Sequence, residues 1–447
     1  MPHSRNTLID VPRLLADTTP LRNAYFRRLW TANIVTVIGA QLTVVAVPAQ
    51  IFAITGSSAY VGLTGIFGLV PLVAFGLWGG ALADVLDRRL ILMVTTTGLI
   101  AASILFWVQA ALDLNNVWAI LVLFALQQAF FAVNQPTRSA VLPRLLTVEE
   151  LPAANSLNMT VMQAGAIAGP LIGGALIPVL GYSLLYFVDA VCMLPTLWAV
   201  IRLPSLKPQF QGDSQTRRVA GLRSVIDGFV YLAGHKVLLM SFVVDLIAMI
   251  FGMPRALFPQ IAHESFGGPI DGGFAFSMLF AAMSVGAVLG GVFSGWVSRI
   301  DRQGLAVVVC IVIWGVCIAG TGVAVGFAGG TELPMLPIAV LLLMVGGAAD
   351  MASSAFRQSM LQSAATDEVR GRLQGVFTVV VAGGPRIADV LHGLSAAAVG
   401  TAITTAGGGV LTVIGVLVAA ALVPAFVRYR ISATVAASDA KPVVSTD

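Results

Sequence analysis

Apolar runs of hydrocarbon length recur along the whole of this 447-residue chain, and nothing constrains its fold more. A helix needs about 20 apolar residues to cross roughly 30 Å of hydrocarbon. Runs of that kind fall near 29–54, 59–83, 90–112, 117–136, 156–180, 184–203, 237–261, 273–297, 304–327, 336–360, 374–398 and 405–427. Inside hydrocarbon every backbone N–H and C=O must be satisfied within the protein, so these runs are expected to be helices. Only 10% of residues are charged, against about 25% in soluble domains. The expected fold class is an all-α polytopic membrane protein with twelve transmembrane helices. The longest polar interruption, 204–236, divides them six and six.

The basic residues orient the spans. Of 25 Lys and Arg, 23 fall before the first span, at or after the inner ends of the even-numbered spans or in the central interruption, and thus on one side. Both termini are therefore expected in the cytoplasm. The two remaining basic residues, Arg255 and Arg386, lie inside spans. The first 28 residues lack the apolar core and cleavage site of a secretory signal. The expected organisation is a first bundle over 1–203, a cytoplasmic linker over 204–236, a second bundle over 237–428 and a tail over 429–447. Apolar residues at helical spacing between Gly221 and Gly234 suggest an amphipathic helix in the linker, lying on the membrane surface.

The formal charge of +4 does not imply nucleic acid, because there are three lysines, no basic helix face and no base-stacking motif. Cys192, Cys310 and Cys317 all sit in apolar runs and read as small core residues, so no metal and no cofactor is expected. A nucleotide-driven pump would need a phosphate-cradling loop ending in Gly-Lys-Ser/Thr, and none of the lysines has that context. His263-Glu264-Ser265-Phe266-Gly267 stops short of a zinc-protease motif, and no serine nucleophile elbow appears. An enzyme is not expected.

The two halves repeat. "GGALADVLDRRLIL" (79–92) follows the second span and "SGWVSRIDRQGLAV" (294–307) the eighth, at an offset of 215 residues. "PTRSAVLPRLLTVEE" and "AFRQSMLQSAATDEV" close the fourth and tenth spans, pairing Arg138 with Arg357 at an offset of 219. Such a parallel duplication is the arrangement of major facilitator transporters. Gly80, Leu82, Ala83, Asp84, Arg88 and Arg89 resemble the conserved second-to-third-helix loop of that superfamily, with Val85 and Asp87 departing from its pattern. "GAIAGPLIGG" (165–174) resembles the fifth-helix signature of its exporters. There Gly165, Gly169, Gly173 and Gly174 permit close helix approach and Pro170 bends the span. "VDLIAMIFGMPRALFPQ", "FSGWVSRIDRQGLAV", "DEVRGRLQGVF" and "GGPRIADVLHG" together resemble the enterobactin exporter family of major facilitators. The resemblance implies two pseudo-symmetric six-helix bundles of the major facilitator fold. It further implies export of a catecholate siderophore against protons, and a cluster of Asp84, Arg88, Arg89 and Arg138 that latches the inner side. A broader drug exporter of the same superfamily is the alternative. The fourth span lacks the embedded arginine of many drug–proton antiporters, so their relay does not transfer. The expected partners are a small-molecule substrate, protons and the lipid bilayer, with the chain a monomer.

Charges at membrane depth are costly and mark function or pairing. Asp245 and Arg255, ten residues apart, are separated by about 15 Å along one helix and cannot neutralise each other. Arg255 lies near the outer end, where it could snorkel toward water. Arg386, Asp389 and His392 follow one another by single turns in the eleventh span, while Asp350 and Asp189 sit in the tenth and sixth. An aqueous path between the halves would accommodate them. Asp245, Asp389 and Asp350 are the candidate proton carriers, although an Asp–Arg pair can equally be a staple between helices. Arg255 and Arg386 could attract an anionic or phenolic substrate. His392 reads first as a packing residue. Asn33, Gln41, Gln127, Gln128 and Asn134 could line the cavity with Phe130, Phe131 and Phe251, or simply bond between helices.

Overall fold

The computed structural model describes residues 17–206, 230–364 and 367–430, the side chains of 77–85, 296, 298 and 362–379 excepted. Helices account for almost all of it, and no strand occurs among the described residues. The first half comprises α1 (Ala24–Thr55), α2 (Ser58–Val85), α3 (Arg88–Ala111), α4 (Val117–Leu145), α5 (151–180) and α6 (182–201). The second comprises α7 (Lys236–Phe251), α8 (Phe274–Val292), α9 (Gln303–Gly326), α10 (Met335–Ala364), α11 (Asp367–Val399) and α12 (Thr401–Leu422). Ten segments among the described residues are long and apolar enough to cross a membrane. One of them, Val148–Ile201, contains both α5 and α6, and α11, which carries Arg386 and Asp389, completes the twelve.

Local chemistry sets the helix ends. Asn23 caps α1 by accepting from the N–H groups of Tyr25 and Phe26, and Asn116 caps α4 through Trp118 and Ala119. Asp87, at the position where the family loop has glycine, caps α3 by accepting from Arg89 N–H. α5 and α6 meet at a kink at Gly181, whose φ of 71° turns the chain; a side chain would strain that conformation.

In the first half α1 and α3 pack with α5 and α6 while α4 packs with α2 and α3, and in the second α9 packs with α10 and α12. The halves meet along two seams, α2 with α11 and α5 with α8. The repeat maps α2 onto α8 and α5 onto α11, so the seams are equivalent by pseudo-twofold symmetry.

Two differences from the sequence reading matter. The expected span 237–261 is not one helix: α7 stops at Gly252, and Met253-Pro254 leads into a tight turn at Arg255–Leu257. Proline lacks the N–H that the helix needs and clashes with the preceding turn. Several spans also run beyond their hydropathy limits; α5 starts at Leu151 and α11 at Asp367, because polar residues extend a helix past the hydrocarbon. Of the expected linker helix, residues 230–234 are described and are helical; the rest lies outside the described residues.

Candidate functional site: a charged cavity between the halves

The two seams are closed by small residues. On α2, a Cβ at Gly62 would stand 2.6 Å from the Asp389 carbonyl oxygen, and one at Gly65 would collide with the Arg386 carbonyl. A Cβ at Gly393 would press on the Ser58 carbonyl. On the other seam Gly174 abuts Ser277 and accepts from the N–H of Gly273 at 2.9 Å. Ser58 donates to Gln260 at 2.5 Å and Tyr182 to Asp271 at 3.2 Å, again across the halves. All these contacts lie at the end away from the basic loops.

At the basic end, the visible ties stay within one half. Arg88 donates to the Ala140 carbonyl at 3.1 Å, Arg89 to Ile201 at 2.6 Å and Arg138 to Leu29 at 3.5 Å. The Asp84 side chain lies outside the described residues, so the cluster's fourth member is not placed. Asp87 binds Ser205 Oγ at 2.6 Å and the N–H of Leu206 at 3.0 Å. Burial pushes the Asp87 carboxyl up, but these hydrogen bonds, the cap to Arg89 N–H and the Arg89 charge together hold it below its ordinary value.

Between the seams lies a cavity of about 400 Å³, a size typical of small-molecule sites. Its wall runs from mid-depth, at Gln41, Phe131 and Ala382, to the helix ends away from the basic loops, at Val61 and Arg255. Arg255, Arg386 and Asp389 line it together with Gln41, Gln128 and the rings of Phe124, Phe131 and Phe280. The Arg386 guanidinium lies 5.3 Å from the Phe124 ring centroid, in cation–π contact. Arg255 is open to the cavity and shares its electrostatic surroundings with Asp389, Asp350 and Arg386. It does not snorkel outward, because the break at Met253-Pro254 turns it inward.

The other candidates fall elsewhere. Asp245 is buried in an ion pair with Arg357 of α10, apart from the cavity. Sequence reasoning set Arg357 against Arg138 but did not pair it with Asp245; the repeat offered no signal for a contact within one half. Gln127 is buried off the cavity wall, Phe130 packs over Gly98 of α3, and Asn134 donates to Thr95 at 2.8 Å. The Phe251 carbonyl faces His392 Nε2 at 3.0 Å, and Nδ1 meets the Met253 carbonyl at 3.0 Å. His392 thus fastens α11 to the broken end of α7, next to Arg255. Gly165, Gly169, Pro170, Gly173 and Gly174 are all buried: the first two fit against Val37 and Gln41 of α1, and Gly173 against Leu42.

Two six-helix halves related by pseudo-symmetry, with a charged cavity at their interface, define a membrane transporter fold. Solved structures share it, among them a mutant form of the nucleoside transporter NupG (TM-score 0.69, 13% identical, 90% of this chain and 98% of that one). So do a bacterial homologue of the iron transporter ferroportin in an inward-facing state (0.65, 13%, 90% and 98%) and a bacterial homologue of the lysosomal transporter Spinster (0.67, 14%, 93% and 99%). Residues 16–441 match the family of transmembrane secretion effectors within the major facilitator superfamily, and the chain belongs to it. It is similar to the enterobactin exporter EntS of Shigella boydii serotype 18, at 30% identity over 89% of this chain and 92% of that protein. The same exporter of Escherichia coli O81 is 29% identical over the same shares.

Proposed function

We propose that this transporter exports a catecholate, siderophore-like small molecule from the cytoplasm in exchange for protons. The basic end faces the cytoplasm, with both termini there, and the halves 1–203 and 237–428 rock about the cavity. The observation that carries the reading is the joint presence of Arg255, Arg386 and Asp389 on the wall of one cavity with three phenylalanines. Guanidiniums suit the paired oxygens of a catechol, and aromatic side chains suit its ring. The relatives named enterobactin exporters support the same substrate class.

Asp389 is the exchange point. Its ionised carboxylate accepts phenolic O–H groups of the substrate, whereas the protonated acid has lost much of that acceptor capacity. Proton and substrate therefore exclude each other, as antiport requires. Asp350, within reach of Arg255, tunes the same cluster. Asp245, paired with Arg357, instead holds the second half together.

Inside-out vesicles carrying the chain test this. An imposed proton gradient is expected to drive uptake of a catecholate, and adding the catecholate to release protons. Asp389→Asn is expected to abolish the proton release while leaving the protein inserted. Gradient-driven uptake of unrelated cationic drugs without catecholate transport would favour the broader drug exporter.

A further inference from the structure

Asp189 lies on α6, fully buried inside the first half, and has no place on the cavity wall. Two hydroxyls donate to one of its oxygens, Oδ2: Thr43 Oγ1 of α1 at 2.6 Å and Ser103 Oγ of α3 at 2.8 Å. Oδ1, equally buried, has no partner. No Lys or Arg pairs with it among the described residues. The titratable groups nearby are Tyr186 and Cys192, both on α6; α1 and α3 present Gly39, Thr43 and Ser103.

A carboxylate has two equivalent oxygens and attracts donors to both. Donors gathered on one oxygen are the pattern of a carboxylic acid whose carbonyl is Oδ2 and whose hydroxyl is Oδ1. An ionised group here would lack both water and a countercharge, which the neutral acid avoids. Gly39 leaves room beside Oδ1: a Cβ there would lie 3.1 Å away.

Polar rungs flank Asp189. On α1, polar residues recur every seventh position, and each meets a polar group on α3 or α6. Thr36 bonds Thr196 at 2.7 Å, Thr43 bonds Asp189, and Gln50 accepts from Tyr186 at 2.9 Å and Gln109 at 3.0 Å. Seven residues rise about 10 Å, so the three rungs cover roughly 20 Å of depth.

We propose that Asp189 is a proton-binding site inside the first half, separate from the cavity cluster. It carries its proton on Oδ1 in this conformation. Infrared spectroscopy of the full-length protein in lipid, titrated with pH, reads this directly. A carboxylic-acid C=O band is expected near neutral pH, absent from Asp189→Asn and shifted in Asp189→Glu. The same band is expected to persist in Asp389→Asn and Asp350→Asn. Asp189→Asn keeps the shape of the acid and an acceptor for both hydroxyls, and an unchanged elution profile would verify that it folds. If no band sensitive to Asp189→Asn appears at any pH, the proposal is overturned. It is overturned equally if sodium abolishes the band at constant pH, because the site would then bind a metal cation.

Discussion

Removing either member of the Asp245–Arg357 pair leaves a buried charge without its partner, a change that costs about 3–5 kcal/mol. Asp245→Ala and Arg357→Ala are each expected to lower thermal stability in detergent by that order. The double variant Asp245→Leu/Arg357→Met is expected to recover most of it. If the single variants melt like the parent, the pair is not a staple. In the cavity, Arg386→Lys keeps the charge but loses the planar fork and its stacking on Phe124. It is expected to raise the KM for a catecholate about tenfold, equivalent to about 1.4 kcal/mol, with maximal rate less affected. At this scale the sequence was informative about which residues carry charge at membrane depth and poor about their partners. Asp245 and Arg255 are too far apart on one helix to pair, and that is plain from numbering alone. That α7 breaks after Phe251, swinging Arg255 into the cavity, depends on Pro254 acting in its packed setting.

Helix ends and helix seams obey shorter-range rules. Asp87 caps α3 and gathers Ser205 and Leu206 from the chain after α6. Asp87→Ala is expected to cost about 1 kcal/mol, read by thermal unfolding. The pH sign follows from a carboxyl held below its ordinary 3.8 in the folded protein. Its stabilisation is complete above that value and disappears as pH falls through the lower folded value. The parent should therefore lose its margin over Asp87→Ala in acid. On the α5–α1 seam, Gly169→Val would drive a branched side chain into Gln41, and reduced insertion or stability is expected on thermal challenge. The twelve helices and their six-and-six division were largely legible, because hydrocarbon thickness leaves few alternatives. Their ends were less so, since polar residues continue a helix beyond the membrane surface and hydropathy does not register them. The turn at Gly181 was legible only as a gap between two apolar runs.

Among the described residues, the halves touch at the end away from the basic loops. A reducible thiol cross-linker bridging Ser58→Cys and Gln260→Cys would pin that closed end. Cross-linking is expected to stop transport in vesicles, and reductant to restore it. Transport that continues at full rate with the cross-link formed would mean that these ends need not separate. With the cytoplasm at the basic end, as proposed, water admitted to the cavity would bring the cytoplasmic potential to Asp389, leaving α11 from Asp389 to Val399, about 15 Å, to sustain the membrane voltage. Each net charge carried through that thin layer exchanges about 2.3 kcal/mol with the field per 100 mV. In that orientation the sealed rim would be where the cell's voltage acts on turnover.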